Sequence, residues 1–203
     1  QLVNGWHFAV YNQTIMQEKT VTNSFPLLNQ DEFVGEVNVP FFPNFYAAFK
    51  KDKLAVSFGF GPNGGGGTAD FASGLPSFET AIAQIPAMVK TMGIPTDAYK
   101  ADIAFKGSSI YYGFQLNASY AISEMFSVAL GGRYILANNT YEGGIHNIQI
   151  NPTFPALGFT GNLMSAAQFF TALAQVNPAA GAYAAMVQDK EVDVKQTGSA
   201  ITP

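Results

Sequence analysis

The sequence predicts an all-β fold: a portion of an antiparallel transmembrane β-barrel, with about five strands and short helices carried in long loops. Three observations lead there. Large apolar and small polar residues alternate over long segments, charge is confined to the turns between them, and the connections are alternately very short and very long. One domain over residues 1–203 is expected, with strands near 5–16, 37–50, 53–61, 109–122 and 125–137 and loops at 17–36, 62–108 and 138–203.

The clearest strand runs from Ile110 to Ile122. Ile110, Tyr112, Phe114, Leu116, Ala118, Tyr120 and Ile122 fall on one face, and Gly113, Gln115, Asn117 and Ser119 on the other. Such a period of two is the mark of a strand with two unlike faces. After the polar turn Ser123-Glu124 the alternation resumes, with Phe126, Val128, Leu130, Tyr134 and Leu136 opposed to Ser127, Ala129, Gly131 and Arg133. Upstream, Val37, Val39, Phe41, Pro43, Phe45, Ala47 and Phe49 lead through the turn Lys51-Asp52 into Leu54, Val56, Phe58 and Phe60. Trp6, Phe8 and Val10 add a strand at the start.

The content of the faces separates a membrane barrel from a soluble sandwich. A sandwich carries Lys, Glu, Thr and Arg all along its solvent face. Here the less apolar face holds Gly, Ala, Ser, Asn and Gln. Large residues toward lipid and small polar ones toward a lumen are what a membrane barrel requires, and Tyr112 and Tyr120 stand where aromatic girdles would lie. Short turns on one side and long loops on the other fit the same architecture.

Composition closes off other classes. Of 203 residues, 48% are hydrophobic and 12% charged, too apolar for a disordered chain. The absence of cysteine excludes disulfide scaffolds, thiolate metal sites and cysteine nucleophiles. Ten Lys and Arg against fourteen Asp and Glu, the basic ones scattered, give no footprint for nucleic acid. His7 and His146 have no spaced partners, so no metal site is expected, and no cofactor is implied. No Ser/His/Asp arrangement, paired carboxylates or Gly-x-Ser-x-Gly elbow is present, so no enzymatic activity is expected. The run Gly64 to Gly67 is followed by Thr68-Ala69-Asp70 and lacks the lysine of a phosphate loop.

Two loops carry helical patterns. Phe78, Ile82, Ile85, Val89 and Met92 recur at helical spacing behind a cap at Ser77, with Pro86 expected to kink the helix. Leu163, Ala166, Ala167, Phe170, Leu173 and Ala174 share one side of a second helix, and Asn177-Pro178 begins a third through Met186 and Val187.

Taken in order, these segments resemble the FadL family of outer-membrane transporters for long-chain fatty acids and other hydrophobic compounds. Val39 to Phe49, with Pro43-Asn44 inside it, resembles the family's second strand. Leu54 to Gly64, ending Gly-Phe-Gly-Pro-Asn-Gly, resembles the third, which in this family bends and opens the wall. Tyr112 to Tyr134 resembles the fourth and fifth, the Ala/Phe/Met-rich stretch after them the large third extracellular loop, and Lys195 to Ser199 the run-in to the sixth strand. The family's plug and its strands beyond the fifth of fourteen are missing. Five strands cannot close a barrel, so the sequence is expected to be a portion of a longer polypeptide.

The resemblance implies a passive channel in the outer membrane of a Gram-negative bacterium. Its partners would be a long-chain fatty acid or other hydrophobic ligand and the surrounding membrane lipid. The alternative is a FadL-like barrel that anchors or shuttles secreted proteins, with a protein partner at the extracellular loops. A soluble lipid-binding β-protein is a third class. Leu163, Phe169, Phe170, Leu173, Tyr183 and Met186 would line an apolar capture groove, or else only pack the loop onto the rim. Arg133, placed on the polar face, would meet a fatty-acid carboxylate or pair with an acid of plug or wall. Gly59, Gly61, Pro62 and Gly64 would mark either a lateral opening, where the third strand loses its pairing at its outer end, or merely the start of a flexible loop.

Overall fold

In the computed structural model, which describes residues 3–203, each long strand runs past the limits that the alternation set. The elements in order are β1 (Gly5–Thr22), β2 (Glu32–Lys51), β3 (Leu54–Phe71), α1 (Pro76–Ala83), α2 (Ile85–Thr91), β4 (Tyr99–Ala121) and β5 (Ser127–Ile150). There follow the two-residue strands β6 (Thr153–Phe154), β7 (Phe159–Thr160) and β8 (Met164–Ser165), the helices α3 (Ala166–Leu173) and α4 (Gly181–Met186), and β9 (Lys190–Thr202). The long strands form one antiparallel sheet in the order β1-β2-β3-β4-β5, with β9 beside β5 and β8 held at the top of β5. The sheet is open, with β1 and β9 at its edges.

Residues 17–22, 32–36, 62–71, 99–108 and 138–150, expected in loops, are therefore strand, and the last loop contains β9. The alternation did not reach them because the two faces exchange character partway along. In the lower half, Trp6, Phe8, Val10, Phe45, Phe58, Leu116, Leu130 and Ile201 share one face, which we call outer. On that face Leu130 and Ile201 are each 81% exposed and Trp6 66%. Above Ile110 and Leu136 the outer face turns polar, and the apolar residues move to the inner face as Phe105, Ile103, Phe71 and Phe33.

Register makes the change sharp. Glu18, Glu36, Asp70, Lys106, Glu142 and Asp193 sit opposite one another in a single exposed row across all six strands. Directly opposed like charges weaken a sheet, so such a row belongs where water and ions can screen it.

Two irregularities reset the faces. β2 carries an extra residue near Pro40, where the ladder to β1 shifts between Gln13 and Ile15. Val37 and Val39 are thereby turned to the inner face and buried, instead of sharing the face of Phe41 to Phe49 as the alternation implied. The side chain of Asn12 spans this bulge: its Oδ1 accepts from the Phe42 amide at 2.7 Å and its Nδ2 donates to the Pro40 carbonyl at 3.0 Å. In β3, bulges at Asn63 and Gly66 displace the register twice and so restore it.

The turn between β2 and β3 is two residues long, with Asp52 left-handed at φ 52°. The one between β4 and β5 is longer than Ser123-Glu124: amides of Ile122 and Ser123 both donate to the Phe126 carbonyl. All wide connections lie at the opposite end. There the helices pack into one core with the top of β5, around Ile150, Val89, Phe169 and Phe170, each fully buried.

Replacing Asn12 by Ala is expected to lower stability by about 1 kcal/mol, since two bonds across the bulge go unmade at an accessible site. Equilibrium unfolding followed by the fluorescence of Trp6, whose ring lies 4.9 Å from that of Phe49 on the adjoining strand, measures it.

Candidate functional site

The upper core leaves an apolar groove between α1–α2 on one side and α4 with the top of β5 on the other. Its volume is about 570 Å³, within the range of small-molecule sites. Phe78, Ile82, Ile85 and Met88 form one wall, Ile145 and Ile148 the floor, and Tyr183, Met186 and Val187 the other wall. Lys190 stands at its edge. The walls follow from local sequence. Pro76 opens α1, and the break expected at Pro86 falls at Gln84, so that Pro86 sits in the first turn of α2 where its missing amide is harmless. Leu75 rather than Ser77 occupies the cap position.

Not all of the expected groove residues line it. Tyr183 and Met186 do. Phe169, Phe170 and Leu173 are buried behind it, at the i, i+1 and i+4 positions of α3, where Phe170 touches the Tyr183 ring at 5.5 Å. They build the scaffold that holds Tyr183. Leu163 precedes α3, is 47% exposed and lies away from the groove. The wall formed by α1 and α2 came from residues whose helical spacing was legible, but nothing in the sequence paired that loop with the later one.

The connection between β1 and β2 is tied to the same core by a buried carboxylate. Glu79, 5% exposed, accepts from the Tyr99 hydroxyl at 2.7 Å, and the Asn29 amide donates to both groups, at 3.3 Å to Glu79 and 3.1 Å to Tyr99. Burial, then the Glu79 contact, pushes the Tyr99 hydroxyl well above the usual tyrosine range, against a smaller opposing effect of the Asn29 amide.

On the inner face of the lower sheet, Arg133 lies opposite Gln115. Its Nε and Nη2 donate to Gln115 Oε1 at 3.2 and 2.6 Å. Gln115 passes the chain to Asn117 at 3.1 Å, and Asn117 to Ser57 at 3.5 Å. Arg133 thus has an amide partner, and among the described residues no acid pairs with it. His7 faces the same side and its Nε2 donates to the Val3 carbonyl, while His146 belongs to β5 rather than to a loop.

The glycine-rich stretch of β3 does not lose its pairing to β4. Pro62 is in register with Tyr112, and the ladder continues through its two bulges to Phe71 opposite Phe105. The break lies on the other side. Between Val37–Ala69 and Phe45–Phe60, β2 and β3 have no paired residues, so 38–44 and 61–68 face each other across an unzipped stretch. Pro40, Pro43 and Pro62 fall within it and supply no amide. Asn44 crowds the inner side of Gly61 and Val39 that of Gly67, close approaches that a Cβ would prevent. Gly59 lies below the break, where an added Cβ would be 3.2 Å from the Tyr46 ring, and Gly64 within it, where one would be 2.8 Å from Tyr111.

Comparison with protein-family models, with curated proteins and with solved structures returns no match for this chain. The likeness to FadL transporters therefore rests on the order of the sequence motifs alone.

Two outcomes are expected. Phe170→Ala should cost about 3–5 kcal/mol, as truncation of a fully buried aromatic does, and should lower the thermal midpoint of the loop core. Because the Tyr99 pKa is raised on folding, its stabilisation is complete below about pH 10, the unfolded value, and is lost as pH climbs through the higher folded value. Tyr99→Phe should accordingly delete the most alkaline step of the tyrosinate absorbance titration and flatten the loss of stability at high pH.

Proposed function

We propose that this chain forms part of the wall and the outer loops of a passive channel for hydrophobic molecules in the outer membrane of a Gram-negative bacterium. The ligand is captured in the groove between α2 and α4 and leaves sideways into the bilayer through the unzipped stretch between β2 and β3. The reading uses no cofactor and no chemical step.

The observation that carries it is the height of the outer apolar face. From Tyr120 to Ile110 the strand advances by ten residues, ~34 Å along its axis at ~3.4 Å each. At the ~40° tilt usual in membrane barrels this is ~26 Å, against an apolar band of ~25 Å. The charged row from Glu18 to Asp193 lies above it, where headgroups would start, and at mid-height the opposite face carries the polar chain from Arg133 to Ser57. A soluble sheet has no use for a broad face of exposed Trp, Phe and Leu opposed to an inner face of Ser, Asn and Gln. Backbone groups at the edges β1 and β9 could not remain unpaired in lipid, so the reading requires further strands beside them.

Cysteines at Phe58, Leu116 and Leu130 should react with a lipid-soluble reagent, and cysteines at Ser57, Gln115 and Asn117 with a water-soluble one. Mixed labelling along β4 would sink the membrane reading. For the exit, Pro43→Val together with Pro62→Val restores two amide donors and lets β2 and β3 zip. Uptake of a fluorescent fatty acid should fall several-fold while binding at the groove persists; unchanged uptake would place the exit elsewhere.

A further inference from the structure

We propose that the polar hollow at the top of β4, with the buried Glu79 carboxylate at its inner end, is a binding site for a small linear polyamine. The hollow shares no lining residue with the apolar groove, and the inference does not depend on a transport role.

β3 ends with Phe71 opposite Phe105, so residues 99–104 of β4 have no strand on that side. The connection between β1 and β2 covers the gap: Asn29 Nδ2 donates to the Tyr99 carbonyl at 3.4 Å, and Gln30 Nε2 to the Ser73 carbonyl at 3.3 Å. A cavity of about 820 Å³ is lined by that connection, by Glu79 and by the tops of β4, β5 and β9. Its floor on the outer face is a pair of small residues, Ala104 opposite Gly144.

The groups at the inner end are acceptors in want of donors. Glu79 is 5% exposed, and the Tyr99 hydroxyl and the Asn29 amide both converge on its Oε1. Oε2 receives no donor from the described residues; since none of their sealed side-chain oxygens lacks a partner, Oε2 opens to the cavity. A carboxylate so far removed from water calls for a positive partner. Among the described residues no ion pair supplies one. Asn29 and Gln30 use an amide hydrogen each on a backbone carbonyl and keep an acceptor oxygen each.

At the outer end the lining adds Asp102, Glu191 and the directly opposed Glu142 and Asp193. Against these carboxylates stand Lys100 and His146, and His146 already lies 3.5 Å from Asp189 and 3.8 Å from Glu191. Successive residues on one face of a strand are about 6.8 Å apart, so the acids are spaced out along the hollow. No three acid or histidine groups among the described residues converge as a metal ion would need. The complementary ligand therefore carries several ammonium groups separated by methylenes, each ammonium a donor only. One meets Glu79 Oε2, those behind it meet Glu191 and the Glu142–Asp193 pair, and the methylenes lie over Ala104 and Gly144.

The test is calorimetric titration of the full chain in zwitterionic nanodiscs with spermidine, at neutral pH and low ionic strength. The wild-type protein should bind spermidine, and should bind butylamine, with its single ammonium, about tenfold more weakly. Glu79→Gln should weaken spermidine about tenfold, the effect of one charge-assisted contact. Ala104→Phe, which fills the hollow from an exposed floor position, should abolish binding. Glu18→Gln combined with Glu36→Gln removes two acids of the charged row outside the hollow and should change nothing. The site is overturned by absence of binding to the wild type, by butylamine binding as tightly as spermidine, or by wild-type affinity in Glu79→Gln or Ala104→Phe. An equal loss in the doubly substituted row also overturns it, since diffuse surface charge would then account for the binding.

Discussion

The two-residue period of a β-strand gives each chain segment only two faces, and in this molecule neighbouring strands are locked so that those faces agree across the whole sheet. Everything else follows from that lock. A strand displaced by one residue would throw Phe114 and Leu116 to the side of Gln115 and Arg133 and break the hydrogen-bonded chain that runs to Ser57. The bulge at Pro40 and the paired bulges of β3 are placed where the face of a strand must be corrected, and Asn12 repairs one of them with its own amide.

The same lock allows the faces to trade roles. Below the charged row the apolar side chains look outward, and above it they look inward and give α1 to α4 something to pack on, as where Phe78 meets Phe105 at 5.2 Å. A single sheet thus serves two environments without any change of topology. The groove is a product of the upper regime and the polar inner wall a product of the lower.

The lower regime was legible in the sequence because Ile110 to Ile122 and Val128 to Leu136 are long enough to make alternation unmistakable. The upper regime was not. Its outer residues are charged and its inner ones apolar, so the rule that picked out the lower strands meets an inverted pattern interrupted by Pro40, Pro62 and four consecutive glycines. Lys190-Glu191-Val192-Asp193-Val194 does alternate, but with so many charges that it reads as a loop until its pairing with β5 is seen. Likewise the helical spacing of Ala166, Phe170 and Leu173 announced a buried face without saying what would be buried beneath it. The expectation that Pro62 and its glycines weaken a ladder named no side: bulges absorb them against β4, while toward β2 residues 38–44 and 61–68 stay unpaired.

The uneven connections also set an order of assembly. Hairpins β2–β3 and β4–β5 close across turns of a few residues, a nearly local event, whereas joining one hairpin to the other closes the span from Phe71 to Tyr99, and adding β9 closes the span from Ile150 to Lys190. Loop closure grows costlier with length and slows folding. The groove takes one wall from each of those two spans, so it exists only once both are closed. Its formation is thus a late event, and the groove marks a finished wall and not a half-built one.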